Sequence, residues 1–261
     1  MKILNQLQIG DFDLHLHTTA SDGIYSPTEV VQKAYDAGLS TIAITDHDTL
    51  AGLPEAQKAT DHYNMHLIPG VELSTKWRKQ AVDILGYNIQ HVDQLHEQLA
   101  VFRDYRYKRA ETIIRLLNQM NIAISIEDVR QISGEASIAR PHIAQAVVSK
   151  GYFATTQEVF DRLLADGKPA SIEKKVLSVT EGIQMIRQAG GIAVLAHPVY
   201  IGHLNKVNEL LQLGFDGIEV WHRNHQASDT KHFIRFAQKY QLILTGGSDF
   251  HHDQHQIGSF M

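Results

Sequence analysis

Short, apolar, β-branched runs alternating with longer stretches of helical periodicity restrict this chain to βαβ units, and so to a parallel sheet with helices packed on it. Phe12 to His17, Thr41 to Thr45, Leu67 to Leu73, Ile192 to Ala196, Gly217 to Trp221 and Leu242 to Thr245 read as strands, with Ala81 to Tyr87 as a further one. Helix signals fall between them. Ser26-Pro27-Thr28-Glu29 offers a capping serine, a proline suited to the first helical position and a glutamate that closes the capping box; the helix it starts is expected to end near Gly38. Ser178-Val179-Thr180-Glu181 repeats the device before a helix that stops at Gly190-Gly191.

The middle of the chain breaks the rhythm. From about Asp93 to Met120 there is no glycine or proline, and Leu95, Leu99, Phe102, Ile113, Leu116, Leu117 and Met120 recur at helical spacing. Ile126 to Ile132, Arg140 to Val148 and Thr156 to Leu164 continue as helices. The usual domain holds roughly 100 to 200 residues. We therefore read this chain of 261 as an α/β part, residues 1–100 and 171–261, that carries a mostly helical inserted subdomain at residues 101–170.

In Asp13-Leu14-His15-Leu16-His17 the period of two puts both imidazoles on one side of a strand, where they can share a metal ion, and sends Leu14 and Leu16 to the opposite layer. Further ligand-type residues follow the other apolar runs: His47 in Thr45-Asp46-His47-Asp48, Glu72 in Pro69-Gly70-Val71-Glu72, His197 in Ala196-His197-Pro198, and Asp249 with His251 in Ser248-Asp249-Phe250-His251. In a parallel α/β barrel such C-terminal strand ends meet at one mouth. Any one of them alone is as readily a helix cap or a hydrogen-bonded core group. Together they would bury many polar groups at a cost on the order of several kcal/mol apiece, which bound divalent cations remove.

Composition narrows the chemistry. The absence of cysteine excludes disulfides, thiolate nucleophiles and sulfur-ligated metal, while 16 histidines exceed a one-in-twenty share. Nitrogen and oxygen ligands suit Mn, Fe or Zn. With 24 Lys+Arg against 29 Asp+Glu, the net charge of -5 gives no general cationic field to hold duplex DNA. No apolar run approaches the roughly 20 residues that span a bilayer, and Met1-Lys2-Ile3-Leu4-Asn5-Gln6 lacks the apolar segment of a signal peptide. A cytoplasmic protein without membrane association is expected.

The motifs His15-Leu16-His17, Ser21-Asp22-Gly23, Thr45-Asp46-His47-Asp48-Thr49, Pro69-Gly70-Val71-Glu72, Ala196-His197-Pro198 and Ser248-Asp249-Phe250-His251 resemble those of the polymerase and histidinol phosphatase (PHP) family. The resemblance implies a distorted (β/α)7 barrel with two or three divalent metal ions, Mn being the first choice and Fe or Zn the alternatives. Carried over position by position, it implies that His15, His17, Glu72 and Asp249 hold one ion, and that Asp22, His47 and His251 hold another. Glu72, as a bridge, and His197 would serve a third. The family commonly places a histidine before the Leu-Gly-Tyr of the next strand, where Val82-Asp83-Ile84-Leu85-Gly86-Tyr87 has Asp83. Two tightly held ions are expected, with the third site altered by that substitution.

Such a centre implies phosphoester hydrolysis, in which an ion-bound hydroxide attacks phosphorus and the ions hold the accumulating charge. Asp249 and His197 are the expected acid/base participants, and His222, after the Gly217 to Trp221 run, is a further residue for the mouth. Ala139-Arg140-Pro141-His142 opens a helix of the insertion, where an arginine and a histidine at a helix N-terminus suit an anion. Lys168 in Gly167-Lys168-Pro169-Ala170 is a second phosphate contact. These elements resemble the PHP branch that acts on nucleoside 3',5'-bisphosphates and on short RNA 5' ends. The expectation is a metal-dependent phosphatase of a small nucleotide, removing its 3'-phosphate while Arg140, His142 and Lys168 hold the 5'-phosphate. The alternatives are a 5'-to-3' exonuclease on short 5'-phosphorylated RNA or DNA, a histidinol-phosphate phosphatase, and a metal-stabilised scaffold domain without activity. For the exonuclease, Tyr105, Tyr107, Tyr152 and Phe153 are stacking rings within the insertion, or else the packing of its helices.

Overall fold

Strand β1 (Phe12–Leu16) pairs in parallel with β2 (Thr41–Ile44), and β2 with β3 (His66–Trp77), as the βαβ rhythm requires. The helices between them are α1 (Pro27–Asp36) and α2 (Leu53–Tyr63). Both halves of the expected capping box form at the start of α1, between Ser26 and Glu29. The computed structural model describes residues 10–134, 138–172 and 176–260. It divides into two compact units, Met1–Gln98 with Val176–Met261, and Leu99–Lys175.

Strand β4 (Gln80–Tyr87) departs from the parallel rhythm. It follows β3 after a tight turn and runs back along it, antiparallel both to β3 and to β6 (Ile192–Leu195). Beyond β6 the ladder is parallel again, through β7 (Gly217–His222) and β8 (Ile243–Gly247), while the short β5 (Leu177–Ser178) pairs with the far end of β3. The edges meet where Leu16 bridges Phe250: His17 N donates to Phe250 O at 3.0 Å, and Phe250 N to His15 O at 3.3 Å. The wall is thus a nearly closed sheet of seven strands, the distorted (β/α)7 barrel that the motifs imply, with one strand reversed.

The interior holds Phe12, Leu14, Leu85, Tyr87, Val194 and Ala196 as one buried apolar cluster. Leu14 corrects the strict alternation expected of β1. The register of β1 against β2 slips between Asp13 and Leu16. An extra residue there lets Leu14 join Leu85 and Tyr87 inside the barrel while His15 and His17 still face its mouth. The buried Asp13 carboxylate secures this bulge by accepting from the backbone N–H of His15 (3.2 Å), Ser248 (2.9 Å) and Gly258 (2.8 Å). Helices α7 (Val179–Gln188), α8 (Leu204–Leu211) and α9 (Ala227–Tyr240) complete this unit, and the Ser178/Glu181 capping box forms at the start of α7.

Helix α3 (Val92–Gln119) continues into the second unit, which adds α4 (Ile126–Ser133), α5 (Arg140–Ser149) and α6 (Thr156–Val159), the last prolonged by a π-helical turn at Phe160–Leu164. Its own core contains Ile113, Leu117, Val129, Ile143, Val147 and Leu164, against which Tyr107 and Phe153 pack. Two of the rings considered for stacking therefore serve helix packing. No described helix is long and apolar enough to cross a membrane.

Candidate metal centre

The strand ends of the barrel deliver imidazoles and carboxylates from distant parts of the chain to one place. Three adjoining groups form: His17, Asp22, His47 and His251; His15, His17, Glu72 and Asp249; and Glu72, Asp83 and His197. Within each, one nitrogen or oxygen per residue lies within 4.8 Å of the others. Glu72 Oε2 is 3.3 Å from His15 Nε2, 3.1 Å from His17 Nε2 and 3.3 Å from His47 Nδ1, while its Oε1 is 2.9 Å from His197 Nε2. Asp249 Oδ1 faces His15 Nε2 at 3.5 Å and His17 Nε2 at 3.4 Å. Asp22 Oδ1 lies 3.3 Å from His251 Nε2. These spacings match the edges of a coordination polyhedron, because ligand atoms about 2.1 Å from one ion stand roughly 3.0 to 3.4 Å from each other.

The reversed strand places Asp83. Because β4 runs antiparallel, its early residues lie at the mouth: Asp83 pairs with Ser74, and its carbonyl accepts Ala196 N at 3.2 Å. Its Oδ2 comes 3.9 Å from His197 Nε2, so the aspartate in place of the family's histidine still puts a ligand-type atom in the third group.

Polar residues around the ligand groups support the cluster. Glu219, buried in β7, accepts from His15 Nδ1 at 3.0 Å and from the backbone N–H of His197 at 2.6 Å. This turns His15 Nε2 toward Glu72 and Asp249, a carboxylate–histidine arrangement of the kind that orients metal-binding imidazoles. His251 Nδ1 donates to Asp249 O at 3.0 Å, which likewise leaves Nε2 for the cluster. Asp46 accepts from Thr18 N at 2.7 Å, Thr18 Oγ1 at 2.8 Å and Ser21 Oγ at 2.7 Å, folding back the loop that carries Asp22. Arg223 Nη2 grips Asp249 Oδ2 at 2.9 Å, and its Nη1 donates to the carbonyls of Ser248 and Asp249. Asp48, His197 and Asp249 all have positive φ (52°, 24° and 52°), a strain on the order of 1–3 kcal/mol each that concentrates where ligands are aimed.

His222 is buried, with Nε2 3.4 Å from Asp249 Oδ2. Its Nδ1 accepts from Asn224 N at 3.2 Å, so the neutral ring carries its proton on Nε2 and offers Asp249 a donor. In the second unit Arg140 opens α5, and its Nη1 donates to Leu164 O at 2.9 Å and Asp166 Oδ1 at 2.8 Å. His142 Nδ1 accepts from Ala139 N at 3.2 Å. Lys168 is exposed.

Orphaned atoms test whether ions fit. Both ring nitrogens of His17 and Nδ1 of His47 are buried without a hydrogen-bond partner among the described residues, a cost that metal coordination cancels. Burial pushes the His47 imidazole down to about 4 against the pull of Glu72. Burial also disfavours a charged His17, but the Asp249 and Glu72 carboxylates that face it win and raise it to about 10. Burial would raise Asp249 and Glu72 as well, yet the surrounding imidazoles hold both well below the usual carboxylate range.

At pH 7 the ion-free protein keeps His17 protonated, and an ion must displace that proton, whereas His47 is already neutral. Ion binding is expected to release at least one proton, and apparent affinity to rise about tenfold per pH unit for each proton displaced, up to the pKa of His17. Calorimetric titrations in buffers of contrasting ionisation enthalpy read this number. Release of none is the opposing result.

The description of the PHP domain matches residues 13–206. A 5'-3' exoribonuclease of Haemophilus influenzae is 33% identical over 249 residues, covering 92% of this chain and 89% of its own. A 3',5'-nucleoside bisphosphate phosphatase of Chromobacterium violaceum is 32% identical over 250 residues, covering 93% and 88%. A solved structure from Bifidobacterium adolescentis, described as a metal-dependent phosphoesterase, superposes with a TM-score of 0.78 at 29% identity, covering 96% of this chain and 91% of that one. With the motifs, the barrel and the clustered ligands, these place the chain in the PHP domain family as a hydrolase, a metal-dependent phosphoesterase.

Proposed function

We propose that this phosphoesterase removes the 3'-phosphate of nucleoside 3',5'-bisphosphates. The observation that carries the reading is the trio of ligand groups joined through Glu72 and His17, which suits two or three ions held close together. When bound, divalent ions at such a centre supply a water acidic enough to ionise near neutral pH and a positive field for the phosphoryl oxygens, with Mn our first choice of ion and Fe or Zn the alternatives. His15, His17, Glu72 and Asp249 would hold one, Asp22, His47 and His251 a second, and Glu72, Asp83 and His197 a third.

The chain's own groups supply the rest. Asp249 is gripped at Oδ2 by Arg223 and His222, which leaves Oδ1 turned to the cluster and ready to accept the proton of the attacking water. With two ions bound and the third group free, His197, whose side chain is 12% exposed at the mouth, holds on Nε2 the proton that passes to the departing 3'-oxygen. For the 5'-phosphate we assign Arg140 and His142 at the first turn of α5, with Lys168. The Arg140–Asp166 pair involves a carboxylate 94% exposed, a contact worth about 0–1 kcal/mol that a phosphate displaces readily.

Arg140→Ala is expected to raise KM for a nucleoside 3',5'-bisphosphate about tenfold or more, the loss of a charge-assisted contact, and to leave KM for an aryl phosphate within about twofold. Equal losses on both substrates remove Arg140 from its assigned role. A second reading, a 5'-to-3' exonuclease on short 5'-phosphorylated RNA or DNA, is favoured by the likeness to the Haemophilus influenzae exoribonuclease. Turnover of bisphosphates beside a 5'-phosphorylated oligoribonucleotide, with and without Mn, separates the two.

A further inference from the structure

Tyr200 stands beside the third ligand group as a large aromatic ring that is 54% exposed and yet fixed at both ends. It lies in the short 3-10 turn Pro198–Ile201 that follows His197. Its ring centroid is 5.0 Å from that of His197 and 5.9 Å from that of His222, the latter edge-on at 80°. Its hydroxyl accepts from Asn224 Nδ2, on the loop after β7. The backbone of the turn is tied to β4 as well, because Gln80 Nε2 donates to the carbonyl of Tyr200 at 3.4 Å and of Ile201 at 3.1 Å.

This combination calls for an explanation. Ordering a side chain costs entropy, and burial of its apolar surface normally repays that cost. Here anchors on two strand ends hold the ring while about half of it stays in water, beside the imidazoles at the mouth. A rigid, exposed aromatic gives a planar ligand a large contact at little further entropy cost.

We infer that Tyr200 is the stacking platform for the nucleobase of the substrate. The inference rests on the nucleotide reading above and deepens it. The phosphoester sits at the ligand groups, and the heterocycle lies on the ring that flanks His197. Stacking tolerates any base, because every base presents a π face. Selectivity for a nucleotide over a base-free sugar phosphate then follows from Tyr200, separately from the groups that bind phosphate.

The test compares adenosine 3',5'-bisphosphate with its abasic tetrahydrofuran analogue, on the Mn-loaded wild type and on Tyr200→Ala and Tyr200→Phe. Tyr200→Ala is expected to raise KM for the adenosine compound about tenfold at nearly constant kcat, and to change the abasic KM by less than about twofold. Tyr200→Phe, which keeps the ring and loses the bond to Asn224, is expected to retain most of the preference for the adenosine compound. Turnover of the abasic analogue reports in the same experiment that the variant is folded and loaded. Equal losses on both compounds make Tyr200 a packing residue and overturn the inference, as does a Tyr200→Ala variant unchanged on both. A wild type that turns over neither compound overturns the nucleotide reading and this inference with it.

Discussion

Glu72→Gln is expected to lower kcat/KM for any phosphoester by on the order of 10³-fold or more and to strip the protein of most of its bound metal. Loss of a residue that merely orients a ligand costs about 10–100-fold. Glu72 does more, since its two oxygens serve two of the three ligand groups and lie within 3.3 Å of nitrogens from His15, His17, His47 and His197. A neutral amide keeps the shape and one acceptor oxygen. It removes the negative charge that offsets the ions, and it turns an NH2 toward imidazole nitrogens or cations. Elemental analysis beside turnover reads both losses. Retention of full metal content together with activity within tenfold of wild type would mean that this carboxylate is not the hub of the centre.

Gly247→Ala is expected to destabilise the barrel by about 3 kcal/mol or more and to weaken ion binding, although residue 247 contributes no ligand atom. A Cβ there would stand 2.3 Å from His15 Cβ and 2.5 Å from His15 N, where strands β8 and β1 close the sheet. The first of those atoms is the root of a side chain proposed above to hold an ion, and the second is backbone. Neither can yield without shifting β1. For a chain of this size the thermal midpoint should fall by roughly 6–12 °C, and the ion-titration midpoint should move to higher concentration. A variant that matches the wild type in both respects would show that the two strands do not approach so closely.

Most of the fold was legible because its signals are periodic. Each run read as a strand became one, and the capping boxes at Ser26 and Ser178 formed where they were read. The reversal of β4 was not legible, since a buried strand looks the same in either direction and only the short turn between Trp77 and Gln80 speaks for a hairpin. Nor was the bulge in β1, because alternation assumes an unbroken ladder. The residues that meet at the mouth carry motifs, and motifs can be read. Asp13, Glu219 and Arg223 carry none. One signal was available for Glu219: a lone charge between Ile218 and Val220, inside a strand otherwise fit for burial, needs a partner to be tolerated there. Asp13 between Phe12 and Leu14 gave the same sign. Arg223 lies in polar surroundings after a strand, where charge is ordinary.

The seam between β1 and β8 sets the order in which the molecule can be made. His15 and His17 come from the beginning of the chain and Asp249 and His251 from near its end, so half a barrel offers an ion only a fraction of its ligands. Contacts between such distant segments are slow to form during folding. Under the assignment proposed above, the first two ion sites are complete only once the last strand docks on the first, and an emerging polypeptide has no finished cage for an ion.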